Sequence, residues 1–293
     1  MSVSVDPGVE RESPRAGTPP LAGRRHPARW VAGAVALAVV GAAVASLAQN
    51  RAMSWPVVAS YVLSGQILSG LWLTIWLTAV VTALGFLGGI LVAAMRLSAN
   101  PVLQWIGWAY VWFFRSVPVL VQLLFWFNIG YLYPSLSSAI SAMTAAVLGL
   151  TLHEAALAGE IVRGGILAVD PGQLEAGTAL GLSKIRIFRR VVLPQAMRSI
   201  VPAAGNLLIG TLKGTSMVSV IAVSDLLYSA QFIYNRTYEI VPLLAVATLW
   251  YLIVTSVLSV AQYYIERYFA RGARRALPPT PWQRLRALVR RHP

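Results

Sequence analysis

Apolar residues in this chain run in long blocks, not in alternation. No Asp, Glu, Lys or Arg interrupts residues 52–95, 116–153 or 240–265. Each block exceeds the roughly 20 residues a helix needs to cross a bilayer core. With the apolar stretch that begins near Trp30, the pattern predicts six spans, at about 30–47, 70–95, 104–129, 139–161, 196–220 and 240–267. The third follows Pro101 and is broken near Pro118. The fold class expected is therefore all-α: a polytopic membrane protein of about six transmembrane helices. Residues 1–29, rich in Pro, Gly, Arg and Ser without an apolar period, read as a disordered N-terminal tail. Residues 30–268 read as the membrane domain and 269–293 as a basic C-terminal tail. The first tail is too long and Pro-rich for a signal-peptide n-region, so the first span is expected to be retained.

Composition agrees, with 57% hydrophobic and only 12% charged residues. The net charge of +14 would suit a nucleic-acid binder, but its placement points elsewhere. With the N-terminus inside, the cytoplasmic side collects Arg24, Arg25, Arg29, Arg96, Arg115, Arg163, Lys184, Arg186, Arg189, Arg190, Arg198 and the tail from Arg267 to Arg291. The opposite side receives Arg51 and Arg236. This is the positive-inside bias of membrane proteins, with both termini cytoplasmic, and no nucleic-acid motif surrounds the basic residues. The second tail, with Arg284, Arg286, Arg290 and Arg291, reads as a lipid-surface anchor. Cysteine is absent, so the redox compartment is unreadable.

The loop at 163–198 is the longest between spans and is not built like a linker. Asp170-Pro171-Gly172-Gln173 reads as a capping box opening a short helix, which Gly181 stops. Ser183 is placed to cap a second short helix, with Ile185, Phe188 and Val192 on one face and Arg186, Arg189 and Arg190 on the other. Pro194 is expected to end it. The second helix suits a lipid interface equally well, while the first is small-residue-rich and nearly neutral, which suits a protein groove better.

Glu175-Ala176-Gly177, then Gly181, then Val191-Val192-Leu193-Pro194 resembles the EAA loop of permeases in binding-protein-dependent ABC importers, with Gly177 in place of the second Ala. Phe114 to Gln122, Glu160 to Ile166 and Lys213 to Ile221 are similar to signatures of the polar amino-acid branch of that family, although Gly214 stands where that branch has an acidic residue. The resemblance covers about residues 65–265. It implies a type I ABC importer permease fold in the inner membrane, in which residues 171–180 form a coupling helix. Glu175, Ala176, Gly177, Leu180, Gly181, Leu193 and Pro194 would then serve ATPase coupling. The implied partners are a cytoplasmic ABC ATPase, a second permease subunit (an identical or related chain), an extracytoplasmic amino-acid-binding protein and membrane lipid. No cofactor is expected on this chain, since ATP and Mg would sit on the ATPase.

Residue chemistry is compatible with that division of labour. No Gly-x4-Gly-Lys-Ser/Thr phosphate loop occurs: Gly205 and Gly210 have the glycine spacing, but Thr211 follows. His153, Glu154 and Glu160 lie in the fourth span, where ionisable groups are costly and face the bundle interior. Leu157 stands where a zinc protease would carry its second His. Glu160 and Arg163 form an i, i+3 pair that reads first as a structural ion pair. Substrate-pathway candidates are Gln122, Asn128, His153, Glu154, Glu160, Asn206, Lys213, Thr215 and Ser216. Lys213 either meets a substrate carboxylate or pins the helix to carbonyls. An integral membrane enzyme would need convergent acids, bases or metal ligands inside the bundle, and of the three His, at 26, 153 and 292, one falls within a span. The alternative mechanism is an ion-coupled secondary transporter, which would leave the docking loop idle.

Overall fold

The computed structural model describes residues 27–269. The two tails and their arginines, including Arg24, Arg25, Arg284, Arg286, Arg290 and Arg291, lie outside the described residues apart from 27–29 and 269. Two units are resolved. The first is carried by one apolar helix, α1 (Pro27–Gln49), 23 residues long and so about 35 Å at 1.5 Å per residue, enough to cross a bilayer.

The second unit, from Ser54 onward, is all-helical among the described residues. It contains α2 (Trp55–Tyr61), α3 (Gly65–Arg96), α4 (Pro101–Ser116), α5 (Val119–Phe127), α6 (Ile129–Leu132) and α7 (Ala142–Leu167). These are followed by α8 (Pro171–Ala179), α9 (Lys184–Ile187), α10 (Leu193–Gly214), α11 (Leu226–Thr237) and α12 (Ile240–Phe269). Across the described residues, four helices are long and apolar enough to span a membrane. The count reaches six if each of two bent pairs is one span. The spans expected at about 70–95 and 139–161 are really Gly65–Arg96 and Ala142–Leu167.

The third expected span is two helices, α4 and α5, at 98°. Pro118 is the cause. It has no N–H for the Phe114 carbonyl, and it pushes Val117 into an extended conformation (φ −90, ψ 127). The fifth is a longer object than expected: helical structure runs from Lys184 to Ile221 and meets α11 at 44°. Pro194 does not end the second loop helix. A π-helical turn over Phe188–Val192 precedes it, and the chain passes straight into α10. The wider turn relieves the clash between a proline ring and the carbonyl four residues before it. Only α8 is thus a free-standing loop helix, and the buried residues of the second segment are Ile187 and Val192, with Ile185 and Phe188 exposed.

The centre of this unit is the seam between α3 and α7. Small residues meet there: a Cβ on Gly89 would lie 2.6 Å from the Ala158 Cβ and 2.8 Å from the Gly159 N. One on Gly85 would lie 2.7 Å from the Glu154 Cβ. In lipid, where the hydrophobic effect does not drive helix association, such close backbone approach supplies the packing. The Gly85/Gly89 pair therefore serves packing within the bundle. Beside the seam, Leu77, Val81, Leu123, Leu150, Val218 and Ile221 form a buried cluster.

At the far end from the loop, polar groups pin α11. Asp225 is fully buried and caps it, its Oδ1 accepting from the Tyr228 N–H at 2.8 Å. The Thr74 hydroxyl oxygen on α3 accepts from the Leu226 N–H at 3.0 Å. Tyr251 OH donates to Asp225 Oδ2 at 3.4 Å, and Trp250 Nε1 donates to the Val62 carbonyl at 2.8 Å. These bonds tie α2, α3, α11 and α12 together.

Candidate functional site

The loop between α7 and α10 is held from both ends. Asp170 Oδ1 accepts from the Gly172 N–H at 2.8 Å, as a cap should. Gln173 does not reach back to the cap; its Oε1 accepts from Gln195 Nε2 at 3.4 Å. At the other end Gly181 has φ +70. The Leu182 N–H donates to the Gly177 carbonyl at 3.1 Å and the Gly181 N–H to the Thr178 carbonyl at 2.9 Å. This paired closure is the Schellman arrangement, which needs a left-handed residue at that position.

Gly177 is the buried residue of α8, and the Ile187 side chain fills the space above it: a Cβ there would lie 3.0 Å from Ile187 Cγ1. Glycine in place of alanine costs helix propensity but lets α8 lie against the following helix. Val169, Ile187, Val192, Ala196 and Ile200 form a small core beneath, with Leu182 and Ile166 packed on it. α8 is therefore a rigid ledge. Its outward surface carries Leu174, Glu175 and Ala176, followed by Leu180, which is 79% exposed. Leu193 and Pro194 open α10, both exposed. The exposure of Leu174 is not legible in the sequence, because a leucine in a short helix carries no sign of which way it faces.

Glu160 is the hub of an ion cluster at the loop end of the bundle. Its Oε1 lies 2.9 Å from Arg96 Nη1 and 3.1 Å from Arg163 Nε. Its Oε2 accepts from Arg163 Nη2 at 3.2 Å and lies 3.9 Å from Arg115 Nη1. The i, i+3 pair seen in the sequence is real, but Arg96 comes from α3 and Arg115 from α4, so one carboxylate joins three helices.

Gln122 and His153 are brought together at the Pro118 bend. Gln122 Nε2 donates to the Phe114 carbonyl at 3.0 Å and the Val117 carbonyl at 2.8 Å, and lies 3.4 Å from His153 Nδ1. His153 Nδ1 is also 3.0 Å from the Phe114 carbonyl. The side chains thus replace the backbone donor that proline lacks. We expect Gln122→Leu to leave these buried carbonyls short of donors, costing about 1–3 kcal/mol. A fall in melting temperature of the purified protein in lipid checks this, and an unchanged melt would contradict it.

The remaining pathway candidates are scattered. Asn128 caps α5 through its own helix, Nδ2 donating to the Leu124 carbonyl at 2.7 Å. Thr215 and Ser216 donate to the Leu212 and Lys213 carbonyls, each at 2.7 Å, where α10 tightens into a 3₁₀ turn. Asn206 Oδ1 accepts from Gln262 Nε2 at 3.1 Å. Glu154 is buried at the α3–α7 seam, and its Oε2 has no hydrogen-bond partner. Lys213 is exposed and, among the described residues, makes no ion pair. Asp225 is the buried acid that sequence reading missed; the available signal was an acidic residue directly before the apolar Leu226-Leu227.

Residues 85–271 match the family described as binding-protein-dependent transport system inner membrane component. The arginine transport system permease protein ArgU of Corynebacterium glutamicum is 45% identical over 264 residues, covering 86% of this chain and 84% of that one. The L-cystine transport system permease protein TcyB of Bacillus subtilis is 36% identical over 214 residues, covering 73% and 86%. Among solved structures, a chain of an amino acid ABC transporter crystallised with histidines aligns with a TM-score of 0.64 at 35% identity, over 69% of this chain and 94% of that one. A chain of the inward-facing MetNI methionine ABC transporter aligns at 0.59 with 25% identity, over 76% of this chain and the whole of that one.

Proposed function

We propose, because this chain belongs to the family of binding-protein-dependent transport system inner membrane components, that it carries a polar amino acid inward across the cell membrane, driven by ATP hydrolysis on a separate cytoplasmic subunit. Its partners in this reading are a second permease subunit, identical or related, a pair of ABC ATPase subunits that hold ATP and Mg, and an extracytoplasmic amino-acid-binding protein. The basic-residue bias supports placing α8 and both termini in the cytoplasm. Family membership supports this reading over the ion-coupled alternative.

The observation that carries the reading is the ledge: an exposed Leu174, Glu175 and Leu180 on a helix whose other side is packed on Ile187. Leu174 and Leu180 would fill apolar hollows on the ATPase, with Glu175 making polar contacts beside them. When the ATPase pair closes on ATP, a push on α8 passes through Ile187 into the helical run from Lys184 to Ile221 and through the loop core into α7. Rigid backing matters because a soft loop would absorb the displacement. Lys213, with no ion-pair partner in the described residues, is the cation we assign to a substrate carboxylate.

The test is ATPase activity of the complex in lipid, with and without its binding protein, across a panel of amino acids. Arginine comes first, since the 45% identical relative is named for it. Stimulation by one member identifies the cargo. If no ATPase copurifies and no amino acid has an effect, the coupling reading is wrong.

A further inference from the structure

We propose that the cavity between α4 and the loop ends of α3 and α7 binds the phosphate headgroup of an anionic phospholipid. The cavity measures about 390 Å³ and is lined by Arg96, Trp108, Val111, Trp112, Arg115, Ser116 and Glu160. Its charge is unbalanced. Three guanidiniums, those of Arg96, Arg115 and Arg163, surround the single carboxylate of Glu160, leaving a surplus of two positive charges.

Of the two surplus charges, the one open to a ligand in the cavity is that of Arg115. Arg96 and Arg163 are close partners of Glu160, whereas the Arg115 guanidinium stands 3.9 Å off and its side chain is 52% exposed. Most of its five N–H donors are therefore available to a ligand, in the planar fork that matches a phosphate oxygen pair. The same arrangement disfavours a zwitterionic amino acid. Its ammonium would need a free carboxylate, and both oxygens of Glu160 are already engaged.

The surroundings identify the source of the phosphate. Trp108 and Trp112 lie with ring planes 10° apart and centroids 6.1 Å apart, and both are about half exposed. Exposed tryptophans beside arginines are what a helix presents at headgroup level, with the apolar ring bodies toward the acyl chains. The cavity lies at the end of the bundle where α3 stops at Arg96 and α7 runs on toward α8. On the orientation proposed above this is the cytoplasmic leaflet, where basic pockets between helices take anionic lipid.

The experiment is native mass spectrometry of the permease–ATPase complex released from nanodiscs of phosphatidylcholine mixed with phosphatidylglycerol. The intact complex should retain phosphatidylglycerol preferentially. Arg115→Gln should lower that preference about tenfold, as expected for loss of a hydrogen-bonded charge contact, and Arg115→Lys should recover part of it. Should Arg115→Gln fail to fold, the Arg115→Lys complex still decides: preference intermediate between wild type and none supports the site. Equal retention by wild type and either folded variant overturns the proposal. Displacement of the lipid from the wild type by free arginine also overturns it, by making the cavity an amino-acid site. Lipid retention is read without ATP or transport, so it stands or falls separately from the coupling role of α8.

Discussion

Gly89→Leu is expected to prevent accumulation of the folded protein, and Gly89→Ala to destabilise it measurably. At this position the backbones of α3 and α7 are in contact. A methyl alone would meet the Ala158 Cβ at 2.6 Å, the Gly159 N at 2.8 Å and the Ala158 carbonyl carbon at 2.9 Å. Two of these three are main-chain atoms that no rotamer change can move. The helices would have to separate, which would also loosen the contacts at Gly85 with Glu154 and at Gly159 with Val92. Overpacking of this kind costs about 1–3 kcal/mol for one added group, and leucine adds four carbons. Helix propensity favours alanine over glycine by about 1 kcal/mol, so the net sign for Gly89→Ala rests on the clash exceeding that gain. Gly88→Ala is the internal comparison. Its methyl meets only the Ala155 Cβ, at 3.0 Å, so it should cost less than Gly89→Ala. Thermal melts of the purified proteins in lipid, with membrane yield for the leucine variant, check the order. A leucine variant that folds as well as wild type would mean the seam is looser than described.

The parts of this structure that sequence reading reached are those governed by local chemistry or by the cost of charge in lipid. Long charge-free blocks place α3, α12 and the first half of α7, because lipid is the medium that favours them. Asp170 and Gly181 announce the ends of α8, because caps and left-handed closures depend on a few adjacent residues. Pro118 announces a break but not its angle. The 98° bend depends on Gln122 and His153 supplying donors to freed carbonyls, and His153 lies 39 residues from Phe114. Pro194 predicts a helix end that the structure lacks for a related reason: a π-helical turn upstream lets the helix continue, and nothing in Phe188–Val192 signals one. Charge clusters show the same limit. Arg163 beside Glu160 is visible as an i, i+3 pair, while Arg96, 64 residues away, is not.

Gly181→Val is expected to uncouple substrate-stimulated ATP hydrolysis from the binding protein while leaving the membrane bundle intact. Gly181 adopts a φ of +70, in the left-handed region. A side chain there has open space, with nothing within 4 Å of an added Cβ, so the penalty is conformational and not steric. For a β-branched residue the left-handed region costs at least about 1–2 kcal/mol. The chain can escape that cost only by abandoning the Leu182-to-Gly177 and Gly181-to-Thr178 hydrogen bonds that close α8. Leu182 would then leave the small core against Ile187 and Val192, and Leu180 and Glu175 would lose their fixed bearing. An interface that must find its groove from a population depleted by about 1–2 kcal/mol loses roughly 5–30-fold in occupancy. Stimulated ATPase activity should fall in that range. Asparagine tolerates the left-handed region, so Gly181→Asn should keep most of the activity although its side chain is comparable in size to valine. Loss in both variants would point to a direct contact at residue 181 with the ATPase. Loss in neither would show that coupling does not depend on how α8 ends.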